Sequence, residues 1–441
     1  MSRLTTRMIL LTVVSLQCIA TTPALAWRVA VPNEVEGGIG DFGNAVALDA
    51  GSNAVVVGTI AGRLAAVKLA PATGAEIWRA AAGNGTAFAV ALAANGDAVA
   101  AGRSGDRFAA VKFASATGQV LWTSQSTREG YGLSVALDSQ GDAIVGGEQE
   151  DLVIDRTNFI VRKLAAATGS LAWERIITVD DNDFNQRANA VAVDGNDDVI
   201  ACGTLLPEGN DFPREFVVAK LDGSTGAVIW TRRILGNGIL HSGTAFAVAV
   251  DGNGDVVATG TLDDPTESTN FFVVKLAGTD GAEKWRFLRN TGDGFFYGRA
   301  VAVDAANDVV AVANAGFPNT KGGTDISLYA VKLDDATGAV AWEYEPRNPG
   351  GDSGTSLENV AIDPDGNVVT GGTLGFGPKK NSIVIRKLSG ATGHPIYAVD
   401  VPKAIGYDIA IDADGFPVAV GFEQKNFHVF AVCHFLGAVG K

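Results

Sequence analysis

The chain has 441 residues and a formal net charge of −15, with 34 basic and 49 acidic residues. This acidic balance argues against a nucleic-acid-binding protein and against binding to an anionic membrane surface. With only three cysteines in the whole chain, stability must come from packing rather than from a framework of disulfides.

The first 26 residues have the pattern of a secretory signal peptide. Arg3 and Arg7 precede an apolar run over residues 8–16, which is shorter than the roughly 20 residues that a membrane-spanning helix needs. The small residues of the segment 24–26 then form a cleavage site. We expect the mature chain to start at Trp27, to be exported to the periplasm or outside the cell, and to carry a net charge of −17 once two arginines are removed. No later segment is apolar enough to span a membrane.

A unit of about 50 residues recurs along the rest of the chain. Each copy has an alanine-valine strand ending in Asp, a Gly-containing turn, a second apolar strand, a Lys-Leu strand, Thr-Gly and Trp. The first strands start at Ala45, Ala89, Ser134, Ala190, Ala247, Ala300, Asn359 and Asp408. The closing aromatics are Trp78, Trp122, Trp173, Trp230, Trp285, Trp342 and Tyr397. Four short strands in each period predict an all-β, eight-bladed β-propeller of four-stranded antiparallel blades, one domain over residues 27–441.

The two ends of the chain are predicted to complete one blade together. Eight first strands are followed by only seven fourth strands, and the last copy ends on a strand at residues 430–435. Residues 27–31 precede the first unit as residues 78–82 precede the second. The N-terminal strand should therefore be the outer strand of the last blade, which closes the ring and leaves no open sheet edge there.

The recurring Asp-x-x-Gly-Asp segment between strands one and two is interpreted as a hairpin turn. Examples are residues 138–142 and 251–255. Asp accepts hydrogen bonds from the following amides, and Gly takes a positive φ. The alternative is a calcium loop, but calcium needs about six to eight oxygen ligands, and an apolar strand follows at once. No metal site is predicted.

The Trp and Lys of each unit are predicted to be structural. The Trp lies four residues after the Gly and suits a wedge between blades, with a sugar-binding aromatic ladder as the alternative. A lysine recurs at one place in strand three, as Lys68, Lys112, Lys163, Lys220, Lys275, Lys332 and Lys387. Seven such lysines cannot all be catalytic. We expect them to form partly solvated, individually weak contacts with the turn aspartates.

The two cysteines of the mature chain, Cys202 and Cys433, are predicted to be free and buried. They lie four units apart in apolar strands, and a disulfide needs Cα atoms within about 7 Å.

The repeat resembles known bacterial propeller repeats over essentially the whole mature chain. Lys-Leu-x-x-x-Thr-Gly-x-x-x-Trp is similar to the tryptophan-docking repeat of PQQ-type quinoprotein propellers. The part Val-Asp-x-x-Gly-Asp-Val-Val-x-x-Gly-Thr resembles SBBP repeats. The resemblance implies eight blades and, for the enzymes, PQQ with calcium, a carboxylate base and an adjacent-cysteine disulfide. This chain has no adjacent cysteines and no long insert. No cofactor is expected, with PQQ and calcium as the alternative.

The candidate binding surface is the face that carries the variable loops, here called the variable face. These loops join strands two and three and join one blade to the next, and loops that vary on a rigid scaffold commonly bind ligands. The residues that enter strand one should ring the channel on this face. The candidate contacts are Asn44, Phe88, Tyr131, Arg187, Asn189, Phe246, Tyr297, Arg299, Glu358 and Tyr407. They could hold a small anionic or planar ligand, or they only plug the channel and satisfy one another.

Three functions remain open at this point. The first is an exported, monomeric, non-catalytic binding or scaffolding module that uses the variable face for a protein or a small ligand. The second is a PQQ-dependent oxidoreductase or a degenerate relative, and the third is a carbohydrate-active propeller. No catalytic residue is predicted, because the four histidines are scattered and no Gly-x-Ser-x-Gly motif or nucleophile–base pair is found.

Overall fold

The chain is all-β within the residues that the computed structural model describes. These are residues 24–31, 41–151, 156–178, 186–206, 214–238, 242–265, 269–289, 295–318, 324–346, 355–375, 381–423 and 429–436. Within them there is no helix, and hence none that could cross a membrane.

Most strands are short, and only β5 and β8 are long, with 17 and 18 residues. The first fifteen are β1 (Ala24–Val31), β2 (Phe42–Leu48), β3 (Ala54–Ile60), β4 (Arg63–Leu69), β5 (Glu76–Leu92), β6 (Ala98–Ser104), β7 (Arg107–Phe113), β8 (Val120–Leu137), β9 (Ala143–Asp151), β10 (Arg156–Leu164), β11 (Leu171–Ile177), β12 (Arg187–Val193), β13 (Val199–Leu205), β14 (Glu215–Leu221) and β15 (Val228–Ile234). The others are β16 (Gly243–Val250), β17 (Val256–Asp263), β18 (Thr269–Leu276), β19 (Glu283–Arg289), β20 (Phe295–Val303), β21 (Val309–Pro318), β22 (Thr324–Leu333), β23 (Val340–Tyr344), β24 (Thr355–Ile362), β25 (Val368–Leu374), β26 (Ser382–Leu388), β27 (Pro395–Pro402), β28 (Ala404–Ile411), β29 (Pro417–Glu423) and β30 (Val429–Leu436).

The strands pair as four-stranded antiparallel units, as predicted. Four sheets contain one unit each, β12 to β15, β16 to β19, β20 to β23 and β24 to β27. The ten-stranded sheet from β2 to β11 contains three units, because β5 and β8 each belong to two. Residues 76–84 of β5 pair with β4 and residues 85–92 pair with β6, while β8 divides in the same way between β7 and β9.

The N-terminal strand pairs with the last strand of the chain. The remaining sheet has the order β1-β30-β29-β28, and Trp27 lies opposite His434 in an antiparallel register. The register skips Ala26 just before this Trp, as β5 skips a residue between Glu76 and Trp78. The predicted leader lies outside the described residues up to position 23, and its last three residues continue β1.

The first strand of every unit contains a β-bulge at the same place. The skipped residues are Asn44, Phe88, Leu133, Asn189, Phe246, Arg299, Glu358 and Tyr407. The bulge explains the Gly of the Gly-Thr motif in strand two. A Cβ on Gly260 would lie 1.9 Å from the carbonyl oxygen of Thr244 on the bulged strand, so that only glycine fits there.

The tryptophans join each unit to the next, which confirms the wedge interpretation. Trp230 is 8% exposed, and a Cβ on Gly281 (φ +70°) would lie 2.7 Å from its ring. Each indole Nε1 donates to a carbonyl of the following unit. The donors Trp27, Trp78, Trp122, Trp173, Trp230, Trp285 and Trp342 reach, in that order, Pro71, Ser115, Ala166, Gly223, Gly278, Asp335 and Gly390.

The recurrent lysines also contact the next unit, at the same turn that the tryptophans reach. Lys220 Nζ donates to the Gly278 carbonyl at 3.1 Å, the group that also accepts from Trp230, and it lies 2.7 Å from Asp194. The seven lysine side chains are only 1–13% exposed. The prediction of partly solvated contacts is therefore wrong, because the next unit covers each ammonium group.

The aspartate turns are hairpin turns, as interpreted. Asp251 accepts the backbone N–H groups of Asn253 and Asp255, both at 2.8 Å. Its second carboxylate oxygen lies 2.6 Å from the Lys275 ammonium. The carboxylate is thus occupied by the turn and by the lysine of its own unit.

Cys202 is buried and has a free thiol. Burial raises the pKa of this thiol, so it stays protonated at neutral pH and acts as a packing residue. The side chain of Cys433 lies outside the described part.

Candidate functional site

Bulged residues of four consecutive first strands line one pocket of about 240 Å³. They are Leu133 on β8, Asn189 on β12, Phe246 on β16 and Arg299 on β20, and Arg187 joins them. Since the four occupy the same place in successive units, the pocket lies along the first strands. We call it the inner pocket.

A second pocket of about 280 Å³ adjoins the first and shares Arg187 and Phe246 with it. Its other lining residues are Glu148, Thr204, Leu206, Arg214 and Thr244. They lie where strands meet the loops of the variable face, parts of which are outside the described residues. We call this the outer pocket, and the two together the arginine pocket.

Backbone contacts fix the places of two of its arginines. Next to Arg187, the Gln186 N–H donates to the Thr157 carbonyl at 2.9 Å, which ties the start of β12 to the preceding unit. The Arg214 carbonyl accepts the Gly243 N–H at 2.6 Å. The side chains of both arginines are exposed, so rigid backbone presents solvent-accessible guanidinium groups.

Arg299 packs on an aromatic ring. Its guanidinium carbon lies 5.7 Å from the centre of the Phe246 ring, within the range of a cation–π contact. Its Nε is buried and has no hydrogen-bond partner among the described residues. By contrast, the Arg286 Nε donates to the Glu283 carboxylate at 2.6 Å. Arg299 therefore retains hydrogen-bonding capacity in the inner pocket.

Glu148, in the outer pocket, is the one carboxylate among the described lining residues, which include three arginines. Burial raises its pKa above the ordinary value, and the positive charge of Arg187 only partly opposes this. The lining therefore carries an excess of positive charge inside a strongly acidic chain.

The described lining does not fit the PQQ–calcium pair that the family resemblance implies. Calcium takes about six to eight oxygen ligands, mostly carboxylates and carbonyls, whereas Glu148 stands alone among guanidinium groups. Among the described residues, no group of three His, Cys, Asp or Glu side chains could hold a metal ion. A carbohydrate-active propeller would likewise need a pair of carboxylates.

The predicted contacts divide between this pocket and other places. Asn189, Phe246, Arg187 and Arg299 come together in the inner pocket. Asn189 donates its side-chain amide to the Ala245 carbonyl at 2.7 Å, and Asn44 makes the equivalent bond to Ala87 at 2.7 Å. These two asparagines therefore link neighbouring first strands.

The predicted tyrosines do not line either pocket. The Tyr131 ring lies 6.1 Å from Phe88 and carries the Arg103 guanidinium 5.4 Å above it. Tyr407 contacts Phe422, with ring centroids 5.9 Å apart. Exposed Tyr297 lies 5.0 Å from Phe295. The Glu358 side chain lies outside the described part.

Sequence reasoning missed several lining residues. Leu133 stands at the same repeat position as Asn189 and Phe246, so the register of the repeat contained the signal for it. Glu148 and Arg214 border loops predicted to vary, but nothing in the sequence pattern brings them together across two units.

Comparison with known proteins identifies the fold and the family. The family model described as outer membrane protein assembly factor BamB matches residues 15–205 and 214–396. Among curated proteins no sequence matches.

Solved structures of several propellers resemble the chain. BamB from Moraxella catarrhalis is 14% identical with a TM-score of 0.55, over 94% of this chain and 100% of that one. Quinohemoprotein alcohol dehydrogenase from Comamonas testosteroni is 11% identical with a TM-score of 0.60, over 95% and 77%. The C-terminal WD40 domain of Sif2 is 8% identical with a TM-score of 0.58, over 94% and 98%. The chain is thus a β-propeller of the PQQ-like type, and it belongs to the family of the outer membrane protein assembly factor BamB.

Proposed function

We propose that this chain is an exported, non-catalytic propeller that binds or scaffolds other proteins through its variable face during assembly of the bacterial envelope. The observation that carries the proposal is the match to the BamB family model over most of the chain. That family is described as an outer membrane protein assembly factor, and a propeller with loops of varied length on one face suits such a role.

We also infer a ring of eight blades closed by the N-terminal strand. First strands contact one another in succession from β2 to β28, and β28 contacts β2. Trp27 donates to the Pro71 carbonyl at 2.7 Å and packs on Gly74, as the other tryptophans do between successive units. Asp408 accepts the Val46 N–H at 2.9 Å. These contacts support a closed monomeric ring.

The proposed site of action is the periplasm. An N-terminal leader with cleavage before Trp27 would deliver the chain there, and the family description refers to the outer membrane. N-terminal sequencing of the secreted protein tests the cleavage, and a first residue other than Trp27 would contradict it.

A binding role rather than catalysis is supported by the composition of the arginine pocket. Three arginines line its two parts, and Glu148, in the outer pocket, is the one carboxylate among the described lining residues. Arginine stays charged at any physiological pH, so such a lining holds an anion but offers no proton donor and acceptor pair.

Site-specific photo-cross-linking tests the proposal. A photoreactive residue replaces Glu150 or Leu206 at the variable face, and Thr117 or Asp280 in the short turns of the opposite face serves as the matched control. We expect cross-links to outer-membrane or periplasmic proteins from the first pair and none from the second. Cross-links confined to the short-turn face, or none from a correctly exported chain, would overturn the proposal.

A further inference from the structure

We propose that the arginine pocket binds a small organic dicarboxylate. The inference rests on the proposed function, since it assigns a ligand class to the variable face of a binding propeller.

The pocket has unused positive charge. Arg187, Arg214 and Arg299 line it, and Glu148 alone offsets them among the described lining residues. Arg79, a surface arginine of another unit, is by contrast paired with Glu76 at 2.6 Å. In a chain of net charge −15, a local cluster of guanidinium groups with an excess of positive charge among the described lining residues attracts anions against the surrounding field.

The shape of the pocket favours two anionic groups in one ligand. Arg187 lines both parts, while Arg299 lines only the inner pocket and Arg214 only the outer one. A guanidinium group holds a carboxylate through two parallel N–H bonds. One carboxylate is therefore assigned to the inner pocket and the other to the outer pocket, with Arg187 between them.

The apolar lining favours an organic ligand over an inorganic ion. Phe246 lies in both parts, Leu133 in the inner and Leu206 in the outer pocket. Such surface gains nothing from sulfate or phosphate but packs on a carbon chain or a ring. With volumes of about 240 and 280 Å³, the two parts together lie in the lower part of the roughly 300–1,000 Å³ range of small-molecule sites, which suits a small ligand.

The position of the pocket favours a free small molecule over an acidic segment of a protein partner. Its inner part is lined by bulged residues of first strands, along the innermost part of each unit. A folded partner that docks on the loops would not reach this depth, whereas a compact dicarboxylate would.

Calorimetric titration of the full mature chain tests the assignment at constant ionic strength. The probes are glutarate and phthalate, with butyrate, benzoate and sulfate for comparison. We expect saturable one-site binding of a dicarboxylate, weaker by about ten-fold or more for the matched monocarboxylate and for sulfate. R187Q should lose about ten-fold or more in affinity, R299Q should also weaken binding, and R187K should fall between. Arg79→Gln, at a paired surface arginine, is the control and should bind as the parent does.

Several outcomes would overturn the inference. The first is the absence of saturable binding of either dicarboxylate, and the second is binding of sulfate as tight as that of a dicarboxylate. The third is binding of a poly-glutamate peptide where no dicarboxylate binds. The fourth is an R187Q variant that binds the dicarboxylates as the parent does and has an unchanged melting temperature. If R187Q does not fold, R299Q and R187K decide in the same way. If no dicarboxylate binds but the cross-links still form only at the variable face, the ligand assignment is wrong and the scaffold function stands. If a dicarboxylate binds but those cross-links are absent, the scaffold function is wrong and the ligand assignment stands.

Discussion

Replacing Lys275 by methionine should strongly destabilise the protein. The Lys275 side chain is 1% exposed and lies 2.6 Å from Asp251, which is 0% exposed, and it also bonds Asp335 of the next unit. Methionine fills a similar volume but leaves the Asp251 carboxylate buried without a cation. Removal of one partner from a buried ion pair costs about 3–5 kcal/mol of unfolding free energy.

The pH dependence gives a second, independent signature. Burial alone would lower the pKa of Lys275, but its bonds to Asp251 and Asp335 raise it above the ordinary value. Burial alone would raise the pKa of Asp251, but Lys275 and the turn amides lower it. The lysine contribution is lost only as the pH rises through its raised pKa, and the aspartate contribution only as the pH falls through its lowered one. The contribution of this ion pair to the unfolding free energy of the parent protein is therefore constant between about pH 5 and 9. The variant's deficit should shrink in acid, as the unpaired carboxylate takes up a proton.

Urea unfolding, followed by circular dichroism and by tryptophan fluorescence, measures the effect. Trp285 lies opposite Lys275 in the β18–β19 ladder and reports locally. Lys284→Met is the matched control in the same unit, because Lys284 bonds Asp255 but is 44% exposed, and such pairs contribute about 1 kcal/mol or less. Equal small losses for the two variants, or a deficit in Lys275→Met that grows in acid, would refute the reasoning.

Three further predictions concern the contacts between units. Gly281→Ala should lower the unfolding free energy by about 1–3 kcal/mol more than Gly254→Ala, measured by urea titration, because both glycines have positive φ but only the Gly281 Cβ would meet the Trp230 ring, at 2.7 Å. Trp27→Ala should cost about 3–5 kcal/mol and yield oligomers in light scattering, because the β1–β30 pair loses its anchor on the first unit. Burial raises the pKa of Asp408 to about 6, so thermal stability should fall as the pH rises from about 4 to above 6, and Asp408→Asn should abolish that slope.

Each of these has a contrary result. Equal effects of the two glycine substitutions would show that φ, not the indole contact, decides. A Trp27→Ala variant as stable and as monodisperse as the parent would remove the anchoring role. A pH slope that persists in Asp408→Asn would assign the titration to another group.

The repeat in the sequence predicted most of the fold, because each repeated residue has a repeated physical task. The Thr-Gly and Trp positions proved to be the two halves of one contact, as Gly226 and Trp173 show. Tyr397 is the exception among the closing aromatics, and it lies next to the last unit. The third and fourth strands of that last unit come from opposite ends of the chain, so no turn joins them that could receive a Trp.

Burial and long-range proximity were harder to predict. The lysines were expected to be partly solvated, because a position within a strand does not show that the next unit covers it. The site was predicted as one ring of the residues that enter the first strand of each unit. In the structure their side chains form separate groups, because each packs against different side chains on other strands. Arg187 meets Phe246 and Arg299, whereas Tyr131 meets Phe88 and Arg103. Such partners depend on loop paths that repeat spacing does not encode.

Because β1 pairs with β30, the N-terminal strand stays unpaired until β30 has been synthesised. β1 is synthesised well before its partner β30, and bringing together two strands so far apart in the sequence carries an entropic cost that grows slowly with length. Until residues 429–436 emerge, Trp27 has no sheet to extend. A prematurely terminated product would keep a bare strand and an undocked indole, the kind of surface that proteases and chaperones recognise. Only a chain that includes β30 can cover both.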